Sequence, residues 1–176
     1  MGEFKRLNRT LTYQGKILKV YTDHVKVNGR ESNWDYVHHN GGAAVVAVTD
    51  EGKILMVRQW RNALDRYTLE LPAGALEANE EGAVCVAREL EEETGYKSMN
   101  IEWLVSTHSW VAFTNELVEI YVAKDLVASE QKFDEEESIE LEEYTIDELK
   151  EMIFKGMITD SKTVAGILAY AVKYHE

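Results

Sequence analysis

Four glutamates, Glu89, Glu91, Glu92 and Glu93, crowd into five residues directly behind Arg88, in a chain whose formal net charge is already −13. At about 100° per residue around a helix, Glu93 falls roughly 40° to one side of Glu89 and Glu92 roughly 60° to the other. These three carboxylates therefore share one stripe, at the i, i+3 and i+4 positions where like charges repel, while Glu91 points elsewhere. Ala83, Val86, Ala87, Leu90 and Thr94 form a neighbouring stripe suited to a core, which sets the carboxylates at its edge. Two readings are open. The stripe is a solvated acidic face, as most charge runs are, or it is a cluster of oxygen ligands for a hard divalent cation such as Mg²⁺.

The helix that carries the stripe is expected over residues 79–94. Asn79 is a suitable N-cap, Glu80 and Glu81 suit the first turn, and Gly95 suits the C′ position. The first forty residues alternate apolar and polar around the turn signals Gln14-Gly15-Lys16 and Asn28-Gly29-Arg30, the pattern of an antiparallel meander. Gly41-Gly42 marks a boundary, so a meander over 1–40 and a second domain over 41–176 are expected. Beyond it, the run from Gly42 to Arg61 holds two strands joined at Asp50-Glu51-Gly52, the first apolar on both faces as a central strand is. A short strand closes at Pro72, and further strands fall near 101–106 and 117–123. An acidic stretch then leads into a last strand, a helix starting near Thr145 or Asp147, and a helix capped by Asp160 or Ser161. Strands on either side of a long helix, with helices at the end, predict an α/β fold with a mixed sheet covered by helices.

The remaining composition narrows the function. At 176 residues the chain can bury a sizeable core. Its acidity argues against a nucleic-acid surface, which needs a basic patch. A single cysteine, Cys85, excludes an intrachain disulfide and suits a reducing, cytoplasmic compartment. The polar N-terminus lacks the apolar run of a leader, and no apolar run is long enough to cross a bilayer. His38 and His39 alternate faces on a strand and lack metal-ligand spacing to another histidine or to cysteine. Cys85 reads as a buried, inert thiol.

The wider spacing is more specific. Gly74 is followed by five residues and Glu80, then by seven residues and Arg88-Glu89-Leu90. One residue more brings Glu92-Glu93, and another brings Gly95-Tyr96. This pattern resembles the signature box of the Nudix hydrolases. The resemblance implies an α/β/α sandwich with a mixed central sheet. It also implies Mg²⁺- or Mn²⁺-dependent hydrolysis of a nucleoside diphosphate linked to another moiety. Glu89, Glu92 and Glu93 match the family's metal ligands, with the carbonyl of Ala73 beside them, and Arg88 is expected to pair with Glu92 or Glu89. Gly74 would let backbone pass close to the metal.

The flanking run from Ile54 to Glu77 is similar to the ADP-ribose pyrophosphatase branch, in which Arg61, with Arg58 or Arg66, would hold phosphate and Glu70 would lie near the nucleotide. Trp34 matches an aromatic that stacks on adenine and Asp35 an acid that reads its amino group; an ordinary cross-strand aromatic is the plainer reading of Trp34. The branch dimerises through its N-terminal sheet, so a homodimer is implied. In the acidic stretch, Glu137 matches a further metal ligand and Glu135 a general base. One departure stands out: Val111-Ala112 occupies the place of the branch's Pro-Gly. That substitution favours a different nucleotide as the alternative substrate, among them GDP-mannose, NADH, a dinucleoside polyphosphate or a damaged nucleotide. A non-catalytic sensor of ADP-ribose-like ligands is a third reading, disfavoured by the intact carboxylate set.

Overall fold

The computed structural model describes residues 2–131 and 139–175. Contacts divide it into two units. One comprises the chain up to Gly41 with His108–Leu117; the other comprises Gly42–Thr107 and the chain from Val118 onward.

The first unit contains the expected antiparallel meander and, in addition, the segment His108–Leu117. Strands β1 (Phe4–Gln14), β2 (Lys19–Val27) and β3 (Arg30–His38) pair antiparallel in the order β1-β2-β3. The turn between β2 and β3 uses Asn28 and Gly29, both at positive φ, as a tight hairpin requires. Across the sheet, the Arg9 guanidinium donates to both Asp23 carboxylate oxygens at 2.6 Å and lies 3.4 Å above the Tyr36 ring. One charged pair and one cation–π contact thereby tie all three strands together.

The second unit is layered by the period of its strands. Strand β4 (Gly42–Ala47) is buried throughout and lies between β10 (Leu117–Lys124), to which it is parallel, and the short antiparallel β7 (Ala73–Ala75); β9 (Asn100–His108) completes this mixed sheet in the order β7-β4-β10-β9. A second sheet sets β5 (Ile54–Arg61) between β12 (Ile139–Tyr144) and β6 (Arg66–Glu70), both antiparallel to it, and β8 (Tyr96–Lys97) pairs with β11 (Val127–Ala128). Because side chains alternate along a strand, Ala43, Val45 and Ala47 pack with Cys85, Val86 and Leu90 of α1 (Gly82–Thr94). Ala44 and Val46 pack with Leu149 of α2 (Ile146–Phe154) and with Ile167 and Tyr170 of α3 (Ser161–Tyr174). Helices thus cover opposite faces of strand β4, giving the α/β/α layering. Each fully buried aliphatic side chain contributes about 1.5–3 kcal/mol to that packing.

The helix ends follow local chemistry with one exception. Thr145 caps α2 in a reciprocal capping box with Glu148, and the Asp160 side chain accepts from Thr163 N–H at the start of α3. The exception is α1, which begins at Gly82 and not at 79–80. Asn79 sits at φ 66°, incompatible with an N-cap, and Glu81 takes the cap position with extended backbone. Glu80 is drawn out of the first turn: its carboxylate accepts from Glu77 N–H at 2.9 Å and from Arg88. The core stripe is also rotated. Ala83 and Ala87 are exposed, and Cys85 and Glu93 are buried in their place.

Gly95 ends α1 at φ 73°, in the left-handed region, with its N–H on the Glu91 carbonyl. Gly95→Ala is expected to cost about 1 kcal/mol or slightly more, because alanine pays a backbone penalty there. Urea denaturation of the two proteins checks this; equal midpoints would contradict it.

Candidate active site

Three segments of the second unit build the site: the stripe on α1, the backbone of β7, and the adjoining ends of β5 and β6. Ala73 N–H donates to Glu93 Oε2 at 2.8 Å, and Glu93 is only 4 % exposed. Gly74 lies so close to Glu89 that an added Cβ would collide with its carboxylate. Glycine at this crossing of strand and helix leaves the Glu89 carboxylate in its place, where a larger residue would make it turn aside.

Arg88 gathers the carboxylates. Its Nη1 donates to Glu89 at 2.6 Å and to Glu92 at 3.0 Å, and its Nε and Nη2 each reach Glu80 at 3.1 Å. The guanidinium is the positive charge among the glutamates, and Glu80, Glu89 and Glu92 hold it firmly protonated against its own desolvation. Both pairings expected of Arg88 are present; the third, with Glu80, was not foreseen. Glu91 faces away, paired with Lys97 at 2.9 Å and accepting from Ser129 at 2.8 Å. Cys85 is fully buried, and burial first, with Glu80 and Glu89 nearby, pushes its thiol up to about 12, so it is no nucleophile.

Among the described residues, no group of three or more His, Cys, Asp or Glu side chains is gathered in a form that could hold a metal ion. Arg88 draws Glu89 and Glu92 to itself, and Glu93 is turned to Ala73 N–H. The chemistry of the donors nonetheless fits Mg²⁺ or Mn²⁺: Glu89, Glu92, Glu93 and the β7 backbone offer only oxygens, with no thiolate or imidazole. Glu135 and Glu137 lie outside the described residues.

The phosphate candidates separate. Alternation along β5 puts Arg61 on the face of Val57 and Glu70, and Arg58 on the face of Leu69. Arg58 pairs with Glu142 of β12, at 3.2 Å for its Nη2, and Glu142 also accepts from Tyr144. Arg61 forks onto Glu70 at 2.7 and 2.6 Å. Arg66 donates to Thr159 at 3.0 Å. Glu70 is 2 % exposed and also accepts from Thr68 at 2.6 Å and from Lys162 of α3 at 2.5 Å. The sequence marks Asp160 only as a helix cap and leaves Lys162 and Thr163 unmarked, since Lys162 stands 92 positions from its partner Glu70.

In the first unit, Trp34 is 49 % exposed on β3, its ring 5.6 Å from that of Phe4, and Asp35 follows it, opposite Thr22. In the segment 108–117, Trp110 packs on Phe113 at 5.6 Å, and Val111 is 82 % exposed.

Burial alone would raise the Glu70 carboxyl, but the Arg61 fork and Lys162 outweigh it and hold it at about 2, against an ordinary 4.5. A depressed folded value contributes stability above the unfolded value, and that stability is lost as pH falls from 4.5 toward 2. The contribution at neutral pH is on the order of 3 kcal/mol. Denaturation of wild type and Glu70→Gln at pH 7 and pH 3 should show the gap between them shrinking in acid; a gap independent of pH would contradict the assignment.

The match to known proteins agrees with this geometry. The NUDIX domain model matches residues 38–165. The chain is 40 % identical to the methanol dehydrogenase activator of Bacillus methanolicus, over 94 % of this chain and 91 % of that one. It is 37 % identical to the ADP-ribose pyrophosphatase of Bacillus subtilis strain 168, over 98 % and 92 %. A solved structure described as an ADP compounds hydrolase superposes with a TM-score of 0.88, covering 97 % of this chain and 94 % of that one at 17 % identity, which establishes the shared fold. With the domain match spanning most of its length and the box residues assembled on α1 and β7, this chain belongs to the Nudix hydrolase family.

Proposed function

We propose that the protein hydrolyses the pyrophosphate bond of ADP-ribose, with Mg²⁺ or Mn²⁺, to AMP and ribose 5-phosphate. The observation that carries this reading is the packing of the carboxylate stripe of α1 against the β7 backbone, with Glu93 on Ala73 N–H and Glu89 against Gly74. The near full-length relative named ADP-ribose pyrophosphatase supports the substrate. Glu89, Glu92, Glu93 and the Ala73 carbonyl are the groups that would hold the metal, joined by Glu137. Bound divalent ions supply neutralisation of the diphosphate and a water of lowered pKa.

The chain's own residues do the rest. Arg88 keeps the stripe together and balances part of its charge while it waits for a cation. Arg61 donates to a phosphate, which leaves its fork geometry well used, and Glu70 fixes where that fork sits. Arg58, on the opposite face of β5 and tied to Glu142, has the more distant claim on phosphate. Glu135 takes the proton from the attacking water. That water adds to one phosphorus as the bridging oxygen departs with the other phosphate, so each product carries one phosphate group. Trp34 stacks on the adenine and Asp35 accepts from its amino group, a division that gives 1–40 substrate binding and dimerisation and 41–176 the chemistry. A cytoplasmic homodimer acting on a small nucleotide sugar, with no nucleic-acid or membrane partner, completes the reading.

A second reading rests on one observation. Val111, which stands with Ala112 where the related branch has Pro-Gly, is almost fully exposed beside Trp110. A pocket edge rebuilt with an exposed valine and tryptophan suits another nucleotide diphosphate, GDP-mannose or a dinucleotide among them.

A panel of ADP-ribose, GDP-mannose, NADH and diadenosine polyphosphate, with Mg²⁺ and with excess EDTA, separates the two. Metal-dependent AMP release fastest from ADP-ribose is the expected result; faster turnover of another substrate selects the second reading, and no turnover refutes both. Glu92→Gln and Glu93→Gln should each lower kcat by about 100-fold or more with far-UV CD unchanged, since glutamine at 93 can still accept from Ala73 N–H. Trp34→Ala should raise KM by about 5-fold or more, the lower end of about 1–3 kcal/mol of stacking, and leave kcat near wild type. An unchanged KM would remove Trp34 from the site.

A further inference from the structure

Each oxygen of the buried Glu70 carboxylate has two partners, and only one of each pair comes from Arg61. Oε1 accepts from Arg61 Nε at 2.7 Å and from the Thr68 hydroxyl at 2.6 Å. Oε2 accepts from Arg61 Nη2 at 2.6 Å and from Lys162 Nζ at 2.5 Å. Arg61 can therefore turn its donors away while each oxygen keeps a partner and the carboxylate keeps a counter-charge. Without Lys162, the same movement would strand a buried anion on one neutral hydroxyl, which is costly.

Lys162 is itself held for this task. It donates to Asp160 at 2.9 Å, and Asp160 also accepts from the N–H and hydroxyl of Thr163, at 3.0 and 2.6 Å. The buried Thr163 hydroxyl in turn accepts from Leu71 N–H at 2.9 Å. The first turn of α3 thus grips both Glu70 and Leu71, the residue that leads from β6 toward Ala73 and Gly74.

We propose that Lys162 is a positioning residue that releases Arg61 to the diphosphate of the substrate by keeping Glu70 compensated. The inference rests on the reading of Arg61 as a phosphate contact. It acts through Arg61 and touches no reacting atom.

Steady-state kinetics with ADP-ribose and Mg²⁺ test it, on wild type, Lys162→Met, Lys162→Arg, Arg61→Ala and the Arg61→Ala/Lys162→Met double variant. Lys162→Met retains the Arg61 fork on Glu70, so it should fold, which thermal denaturation records alongside. It is expected to raise KM about tenfold with kcat within about threefold of wild type. Lys162→Arg should bring KM back to within about twofold of wild type, because the charge returns. In the Arg61→Ala background, measured below the melting temperature of the double variant, Lys162→Met should leave KM where Arg61→Ala puts it, the non-additivity of residues that act as one unit, while melting temperature falls further because Glu70 keeps only the Thr68 hydroxyl. A purely structural lysine would instead lower melting temperature and leave KM alone with Arg61 in place. Wild-type turnover with an unchanged KM in Lys162→Met, or additive changes in KM in the double variant, overturns this inference alone. Absence of turnover in the wild type overturns the proposed function, and this inference with it.

Discussion

Taking a carboxylate out of water costs several kcal/mol unless donors replace the water, and Glu70 and Glu93 both lie almost wholly inside this protein. The segment between β6 and α1 is arranged around meeting that cost. Glu93 takes a backbone N–H from Ala73, which fixes β7 against the helix. Glu70 takes a guanidinium fork, an ammonium and a hydroxyl, which fixes the ends of β5 and β6 against α3. Five residues, from Glu70 to Gly74, are thereby pinned from both sides by charged or backbone hydrogen bonds. Such bonds are stronger than neutral ones and sharper in direction. Functional groups that must keep fixed positions gain more from this rigidity than from further apolar contact.

Arg88 solves the complementary problem on the helix surface. Carboxylates at i, i+3 and i+4 repel, yet Glu89 and Glu92 both reach Nη1 of the same guanidinium, while Glu80 holds its other edge. One guanidinium thereby relieves the repulsion between Glu89 and Glu92 through hydrogen bonds that can exchange. Engaging Glu80 has a local consequence too. It removes that residue from the first helical turn and shortens α1 to start at Gly82.

The first unit follows a different economy. Its strands expose much of their surface, with Phe4, Leu11, Tyr13 and Trp34 all open. What ties the three strands is polar and aromatic: Arg9 on Asp23 and over Tyr36. An open aromatic sheet of this kind suits contact with flat rings or with another chain more than it suits a core.

Much of this was written locally. Period-two alternation marked the meander and the doubly buried β4, turn glycines and asparagines marked the hairpins, and Gly95 and Thr145 marked helix ends, because each depends on residues within a few positions. The box spacing from Gly74 to Tyr96 was legible for the same reason: it lies on one strand, one turn and one helix. The start of α1 was misread, since the partner that draws Glu80 away, Arg88, lies two turns further on. Cys85 is buried as its residue type suggests, but burial of Glu93 and exposure of Ala83 and Ala87 depend on where β4 and β7 meet the helix, which periodicity leaves undetermined by a fraction of a turn. Glu142 reaches Arg58 from 84 positions away, and Lys162 reaches Glu70 from 92. Local sequence determined which residues form each element and which of them carry charge. Only the tertiary structure decided that Arg61 shares Glu70 with Lys162 while Arg58 serves Glu142, because strand register and the seating of α3 choose among charged partners that are equivalent in sequence.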